Sequence, residues 1–202
     1  MALVDRGNFP LITFPDHEGD SYEFIPSIAA LADRGVVYGF DAQKLANAGA
    51  PHVRSFKRLL ASPNVTAQTP VRLGDRDIAI LDLVTGFLFH VAASIRSATE
   101  SKKDVLEAVV GIPAHAHSAQ RFLTLEAFRR AGFTVISMIN EPSAAGFEYT
   151  HRHAKLVNER RSKVIVYDLG GGTFDASVVV AEGKSHEVLS SRGNNNLGGD
   201  DF

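Results

Sequence analysis

Two carboxylates bracket three consecutive glycines in Asp168-Leu169-Gly170-Gly171-Gly172-Thr173-Phe174-Asp175. Strand-like runs flank this octapeptide, Val164 to Tyr167 before it and Ala176 to Val180 after it. Three glycines at a turn leave successive backbone N–H groups uncovered, and such a turn can fold into a concave nest that holds an anion, most often a phosphate. Asp168 and Asp175 carry the wrong charge to hold phosphate directly. They suit a divalent cation such as Mg²⁺ lying between carboxylate and phosphate. The chemistry inferred is therefore binding of a metal–nucleotide complex. A plain hairpin also uses glycine for positive φ and Asp to cap the turn, so the octapeptide alone leaves both readings open.

The rest of the chain must position this turn. Ala108 to Ile112 reads as a strand, Ser118 as the cap of a helix carrying Phe122, Leu125 and Phe128, and Thr134 to Ile139 as a second strand. Arg129 and Arg130 complement the dipole of that helix's last turn, and Gly132 stops it. A β-α-β unit of this kind is right-handed with parallel strands. Its ligands sit beyond the strands' carboxyl ends, where Pro113 and Asn140-Glu141-Pro142 fall. Helical spacing of Ile78, Leu81, Thr85, Leu88, Ala92 and Ile95 predicts an amphipathic helix of about five turns, within which His90 reads as a packed or surface residue. Upstream, Leu3-Val4 and Leu11 to Phe14 flank the turn at Asp5-Arg6-Gly7-Asn8. Pro15 to Ser21 is a polar loop, and Ile25 to Leu31 and Val36 to Tyr38 are strands joined at Asp33-Arg34-Gly35. Asp41 to Asn47 is a short helix capped by Asp41 and stopped by Gly49, Ser55 to Leu60 a helical turn, and Ser62 to Gly74 irregular. Downstream, Ser143 to Tyr149 is helical, His151 to Ser162 a solvated helix end and loop, and Lys184 to Arg192 a third strand after the turn Glu182-Gly183. Asn194-Asn195-Asn196 with Gly198-Gly199-Asp200-Asp201 forms a second Gly-rich loop.

The 202 residues are 45% hydrophobic and 22% charged, with a net charge of −2. That is globular composition, and it lacks the basic field that nucleic acid or an anionic membrane would call for. Cysteine is absent, which removes disulfides and thiolate metal sites and is consistent with cytoplasm. Met1 to Pro10 has no long apolar core and does not read as a signal peptide. The most apolar stretch, Val84 to Ala93, is too short to span a bilayer.

Five segments, in order, give the chain a resemblance to a known family. They are Phe56 to Leu60 (FKRLL), Val109 to Arg121 (VVGIPAHAHSAQR), Ile139 to Phe147 (INEPSAAGF), Asp168 to Val180 (DLGGGTFDASVVV) and Leu197 to Phe202 (LGGDDF). Together they resemble the nucleotide-binding domain of the 70-kilodalton heat-shock chaperones, in the actin-like ATPase superfamily. The resemblance runs through essentially the whole chain. It implies an α/β, ribonuclease H-like fold of mixed sheets flanked by helices, incomplete here, with residues 1–150 as the first lobe and 151–202 as the start of the second.

The same resemblance implies ATP and Mg²⁺ as cofactors and assigns roles. Gly170, Gly171, Gly172 and Thr173 would surround the β- and γ-phosphates, joined by Gly198 and Gly199 from the second loop. Asp168 would position the metal shell or the attacking water, Asp175 would serve the metal's outer shell, and Glu141 would lie near the metal and the interlobe hinge, all mostly through water. Lys57 would orient the hydrolytic water and neutralise developing charge. Pro113 and Arg121 match a pair that relays nucleotide state to a substrate-binding domain.

Departures from the family lie at His115, Ala116, His117 and Ser118, which put the relay in question. His115 and His117 lack the Cys or acidic company of a metal site. The segment between Leu60 and Ile78 is short for the family, which implies a reduced peripheral subdomain and a divergent bacterial relative. The family's first phosphate loop, the remainder of its second lobe with the adenine pocket, and its peptide-binding domain have no counterpart in the 202 residues. The expectation is a fragment that is marginally stable and a weak or inactive ATPase, cut from a cytoplasmic parent that hydrolyses ATP and serves unfolded clients with co-chaperones, without nucleic acid or membrane. The alternatives are a pseudo-ATPase that binds without turnover, a non-functional fragment, and a cytoskeletal or sugar-kinase relative on the same fold.

Overall fold

In the computed structural model, residues 1–101, 105–153, 162–182, 185–194 and 197–202 are described. The chain opens with the bridges Asp5↔Asn8 and Ala2↔Leu11 around the expected turn. A small antiparallel pair, β1 (Phe14–Pro15) and β2 (Ser21–Tyr22), follows. Its loop is held by Asp16, whose Oδ1 accepts from Glu18 N at 2.8 Å and Asp20 N at 3.0 Å.

Strand β3 (Ile28–Ala32) runs antiparallel to β4 (Gly35–Tyr38) on one side and to β5 (His52–Arg54) on the other. Ile28 and Ala30 of this central strand are buried with Ala42 of helix α1 (Gly39–Asn47), while Ala29, on the opposite face, is buried in the main core. Tyr38, not Asp41, occupies the N-cap position of α1. Asp41 lies in the first turn, where its charge suits the dipole, and meets His17 Nε2 at 3.0 Å. Gly49, at φ +89°, closes the helix as expected.

After α2 (Lys57–Leu60) comes a hairpin of β6 (Pro70–Leu73) and β7 (Arg76–Ala79). This corrects the irregular reading of Ser62 to Gly74, and it moves Ile78 from the following helix into a strand. The cause is local: Val71 and Leu73 alternate inward, and Gly74 supplies φ +64° at a two-residue Gly74-Asp75 turn. Helix α3 (Ile80–Thr99) then presents Ile80, Leu83, Val84, Leu88, Val91 and Ala92 to the main core. At 20 residues it is long and apolar enough to cross a membrane by length and composition, longer than the Val84 to Ala93 stretch suggested.

Strand β8 (Leu106–Ile112), helix α4 (Ser118–Arg130) and β9 (Phe133–Asn140) form the expected parallel β-α-β unit. Its cap is His117 rather than Ser118: His117 Nδ1 accepts from Gln120 N at 3.2 Å. Helix α5 (Glu141–Arg152) begins directly at the end of β9, two residues earlier than Ser143. It straddles the molecule, touching β8 and β9 on one side and β10 (Lys163–Leu169), β11 (Phe174–Glu182) and β12 (Ser185–Asn194) on the other. Those last three strands form an antiparallel meander with β11 in the middle. The close approach depends on Gly146, where a Cβ would lie 3.0 Å from Cγ1 of the fully buried Val179. Most of the expected loop at His151 to Ser162, Gly183 of the expected turn, and Asn195-Asn196 lie outside the described residues.

Candidate functional site

The hairpin of β10 and β11 places Asp168 directly opposite Asp175, with Leu169 opposite Phe174. Between them, Gly170 N–H donates to the Thr173 carbonyl at 2.9 Å. No backbone carbonyl among the described residues accepts from the N–H groups of Gly171, Gly172 or Thr173. Three successive N–H groups are thus without a backbone acceptor among the described residues, the arrangement by which a nest can meet an anion.

The second Gly-rich loop closes on the first. Gly199 N–H donates to Gly170 O at 2.9 Å, and Gly198 N–H donates to Asp201 Oδ2 at 2.7 Å. A Cβ on Gly198 would fall 2.4 Å from the Gly171 oxygen and 2.5 Å from Gly172 N. Only glycine fits there, although its φ of −164° is ordinary extended backbone.

Two cations project from α2, one to Glu141 and the other to the hairpin. Phe56 is buried and packs edge-on against Phe87 at 5.1 Å, and Leu60 is buried one turn later. These anchors leave Lys57 and Arg58 on the outward side of the short helix. Just before it, Ser55 holds φ +50°, a left-handed corner for a non-glycine residue. Lys57 Nζ donates to Glu141 Oε1 at 2.6 Å. Arg58 Nε donates to Gly172 O at 2.6 Å, and its two terminal nitrogens donate to Asp201 Oδ1 and Oδ2 at 3.1 and 2.5 Å. The Arg58 bond holds the Asp201 carboxyl below its usual range, opposed in part by desolvation and aided by Gly198 N–H.

Glu141 opens α5 with Pro142 beside it, and its Cγ packs where Gly111 of β8 has no side chain. Arg121 braces the approach: Nε donates to Ala116 O at 3.0 Å, and a terminal nitrogen to Asn140 Oδ1 at 3.2 Å and, more weakly, to Pro113 O at 3.5 Å. Pro113 and Arg121 therefore do meet, one residue away from Glu141 through Asn140.

Glu141, Asp168, Asp175, Pro113 and Ser177 line one small cleft. Asp175 Oδ1 is buried there without a hydrogen-bond partner, though His115 Nδ1 lies 3.2 Å away. Among the described residues no group of three or more His, Cys, Asp or Glu side chains converges to ligate an ion directly. Three carboxylates around one cleft fit a cation held largely through water. His115 and His117 go separate ways, one to Asp175 and the other to the α4 cap.

The expected site residues fall into four sets: Lys57 with Glu141; Asp168, Asp175 and Glu141 lining one cleft; Gly170 to Thr173 with Gly198 and Gly199; and Pro113 with Arg121. Arg58, Asp201 and Asn140 were not expected. All three stand inside the quoted motifs, and the readable signal was that each lies within two positions of an assigned residue.

The Hsp70 protein family matches residues 52–202, and the chain belongs to that family. It is similar to the "Chaperone protein DnaK" of Metamycoplasma hominis, 34% identical over 204 residues that cover 100% of this chain and 32% of that protein. It is equally similar to a "Chaperone protein HscA homolog" of Chromobacterium violaceum, 34% identical over 225 residues that cover 100% of this chain and 34% of that protein. The chain thus spans about a third of the length of these curated relatives.

Proposed function

We propose that the chain holds the phosphates of Mg·ATP, as the phosphate-binding portion of the nucleotide-binding domain of an ATP-hydrolysing chaperone. The observation that carries this reading is the cradle itself: two Gly-rich loops hydrogen-bonded to each other, with the N–H groups of Gly171, Gly172 and Thr173 given no backbone acceptor among the described residues. Kinship with the Hsp70 protein family makes an actin-like ATPase, ribonuclease H-like arrangement the expected frame. Residues 1–150 would be the first lobe and 151–202 the beginning of the second.

Phosphoryl transfer asks a protein for positioning and charge neutralisation rather than covalent chemistry. Gly171, Gly172 and Thr173 would bind phosphate oxygens through N–H groups, Gly170 would close the turn beside them through its bond to Thr173 O, and Gly198 and Gly199 would complete the wall. Asp168, Asp175 and Glu141 would hold Mg²⁺ through water, which supplies neutralisation of phosphate charge. Lys57, already turned into the site by Glu141, orients water and offsets charge that builds up in the transition state. Pro113 and Arg121, linked to Glu141 through Asn140, would sense the occupant. In the whole protein this cycle would serve unfolded clients and co-chaperones in the cytoplasm.

Calorimetric titration of Mg·ATP into the chain tests the reading, with Asp168→Asn as the control. Binding that the control abolishes is expected, and a folded chain that takes up no Mg·ATP overturns it. In the full-length protein, Lys57→Ala is expected to lower kcat by roughly 10²–10³, the scale of one lost transition-state donor. Near-normal turnover there would remove Lys57 from its role.

A further inference from the structure

The carbonyls of the glycine run are held in alternation. Gly170 O accepts from Gly199 N–H at 2.9 Å, and Gly172 O accepts from Arg58 Nε at 2.6 Å. A trans peptide is planar, and its C=O and N–H point in opposite directions. Holding Gly172 O therefore fixes the direction of Thr173 N–H, just as holding Gly170 O fixes that of Gly171 N–H. The same guanidinium spans both oxygens of Asp201, whose Oδ2 also takes Gly198 N–H at 2.7 Å. Arg58 is thus bonded to the hairpin loop and to the second Gly-rich loop at once, from a helix that belongs to neither.

We infer that Arg58 is a positioning residue that shapes the anion cradle: it orients the Gly172-Thr173 peptide so that Thr173 N–H is offered as a donor, and it ties the two glycine loops into one wall. This rests on the phosphate reading above for its purpose, but not for its geometry. A planar fork is needed, since one donor must reach a carbonyl while two others grip a carboxylate. Lysine, a single-point cation, can satisfy Asp201 or Gly172 O but not both. The side chains of Arg58 and Asp201 are 24% and 33% exposed, so replacing either leaves no charge stranded in the core.

Residue-resolved amide exchange of the nucleotide-free chain reads the tie directly. Wild type is compared with Arg58→Ala, Arg58→Lys and Asp201→Asn at the bonded amides Gly170, Gly198 and Gly199. Arg58→Ala is expected to speed all three by about tenfold or more while amides of α3 stay within about twofold, since local opening and global unfolding separate in this way. Arg58→Lys should protect only part of the set, and Asp201→Asn should speed Gly198 and Gly199 more than Gly170. Unchanged exchange at the three amides overturns the inference. So does a uniform rise that includes α3, or full rescue by lysine. Mg·ATP calorimetry on wild type is scored separately: absence of binding refutes the phosphate reading and leaves the exchange result to decide the role of Arg58.

Discussion

Gly198 and Gly199 are neighbours of the same type, yet their surroundings predict opposite responses to alanine. A methyl on Gly198 would stand 2.4 Å from the Gly171 oxygen and 2.5 Å from the Gly171 carbon, both backbone atoms that cannot swing aside. On Gly199 the nearest atoms are 3.8 and 3.9 Å away, an ordinary contact. Overpacking of this kind costs about 1–3 kcal/mol. In a chain of this length each kilocalorie moves the melting temperature by about 2–4 °C, so Gly198→Ala is expected to melt about 2–12 °C below wild type. Gly199→Ala removes unfolded-state freedom without a clash, worth about 0.4–1 kcal/mol in the stabilising direction. The assay is a calorimetric or circular-dichroism melt of both variants beside wild type. Residues 197–202 could relieve the Gly198 clash by peeling away, which would appear as faster exchange at the Gly199 amide instead of a lower melt. The reasoning is refuted if Gly198→Ala matches wild type in both measurements, or if the two variants behave alike.

Three further outcomes are expected. Leu83 is fully buried in α3, so Leu83→Ala should cost about 2–5 kcal/mol in urea unfolding; a loss well below 1 kcal/mol would deny α3 its place in the core. Burial lowers the pKa of His90 from 6.5, with Asp41 pulling weakly the other way. The unfolded chain therefore binds the proton first, and stability should fall as pH drops below about 6.5. His90→Gln should flatten that slope in urea midpoints taken between about pH 7.5 and 5.5, and an identical slope would exclude His90 as its source. Glu126 is held down to about 2 from 4.5 by hydrogen bonds from Arg129 and then Arg130. Its contribution is complete above about 4.5 and vanishes toward 2, so a carboxyl resonance of Glu126 that titrates near its ordinary value would contradict the pairing.

The parts of the fold legible in the sequence are those whose periodicity is long and whose ends are punctuated. The β-α-β unit from Leu106 to Asn140 and the meander around the glycine run are of this kind. Strand β5, at three residues, is too short to carry a pattern. The β6–β7 hairpin was hidden because Pro70 opens it and the apolar Ile78 falls in step with the helix that follows. The capping errors at Asp41 and Ser118 share a cause: a good capping side chain within the first turn looks like the boundary, and Tyr38 and His117, three positions and one position earlier, occupy the caps instead. At the candidate site, Gly170 to Gly172 and the two flanking aspartates could be named from the octapeptide, because they stand together in one short stretch. The partners Lys57–Glu141 and Arg58–Asp201 are properties of the assembled fold, and nothing in local spacing fixes which cation takes which carboxylate.

Those two pairs also impose an order of events. Lys57 reaches across 84 positions to Glu141, and Arg58 across 143 to Asp201, whereas the β6–β7 hairpin and the meander close over neighbouring residues. Local contacts form early and distant ones late, since chain closure must precede any return from the contact. On a ribosome adding about 5–20 residues per second, the roughly 60 positions between Glu141 and Asp201 take about 3–12 s to appear. The helical core of α3 and α4 therefore exists first as a scaffold with no cradle on it. The candidate cradle is tied together only once Asp201 has been made and meets an arginine synthesised more than a hundred residues earlier.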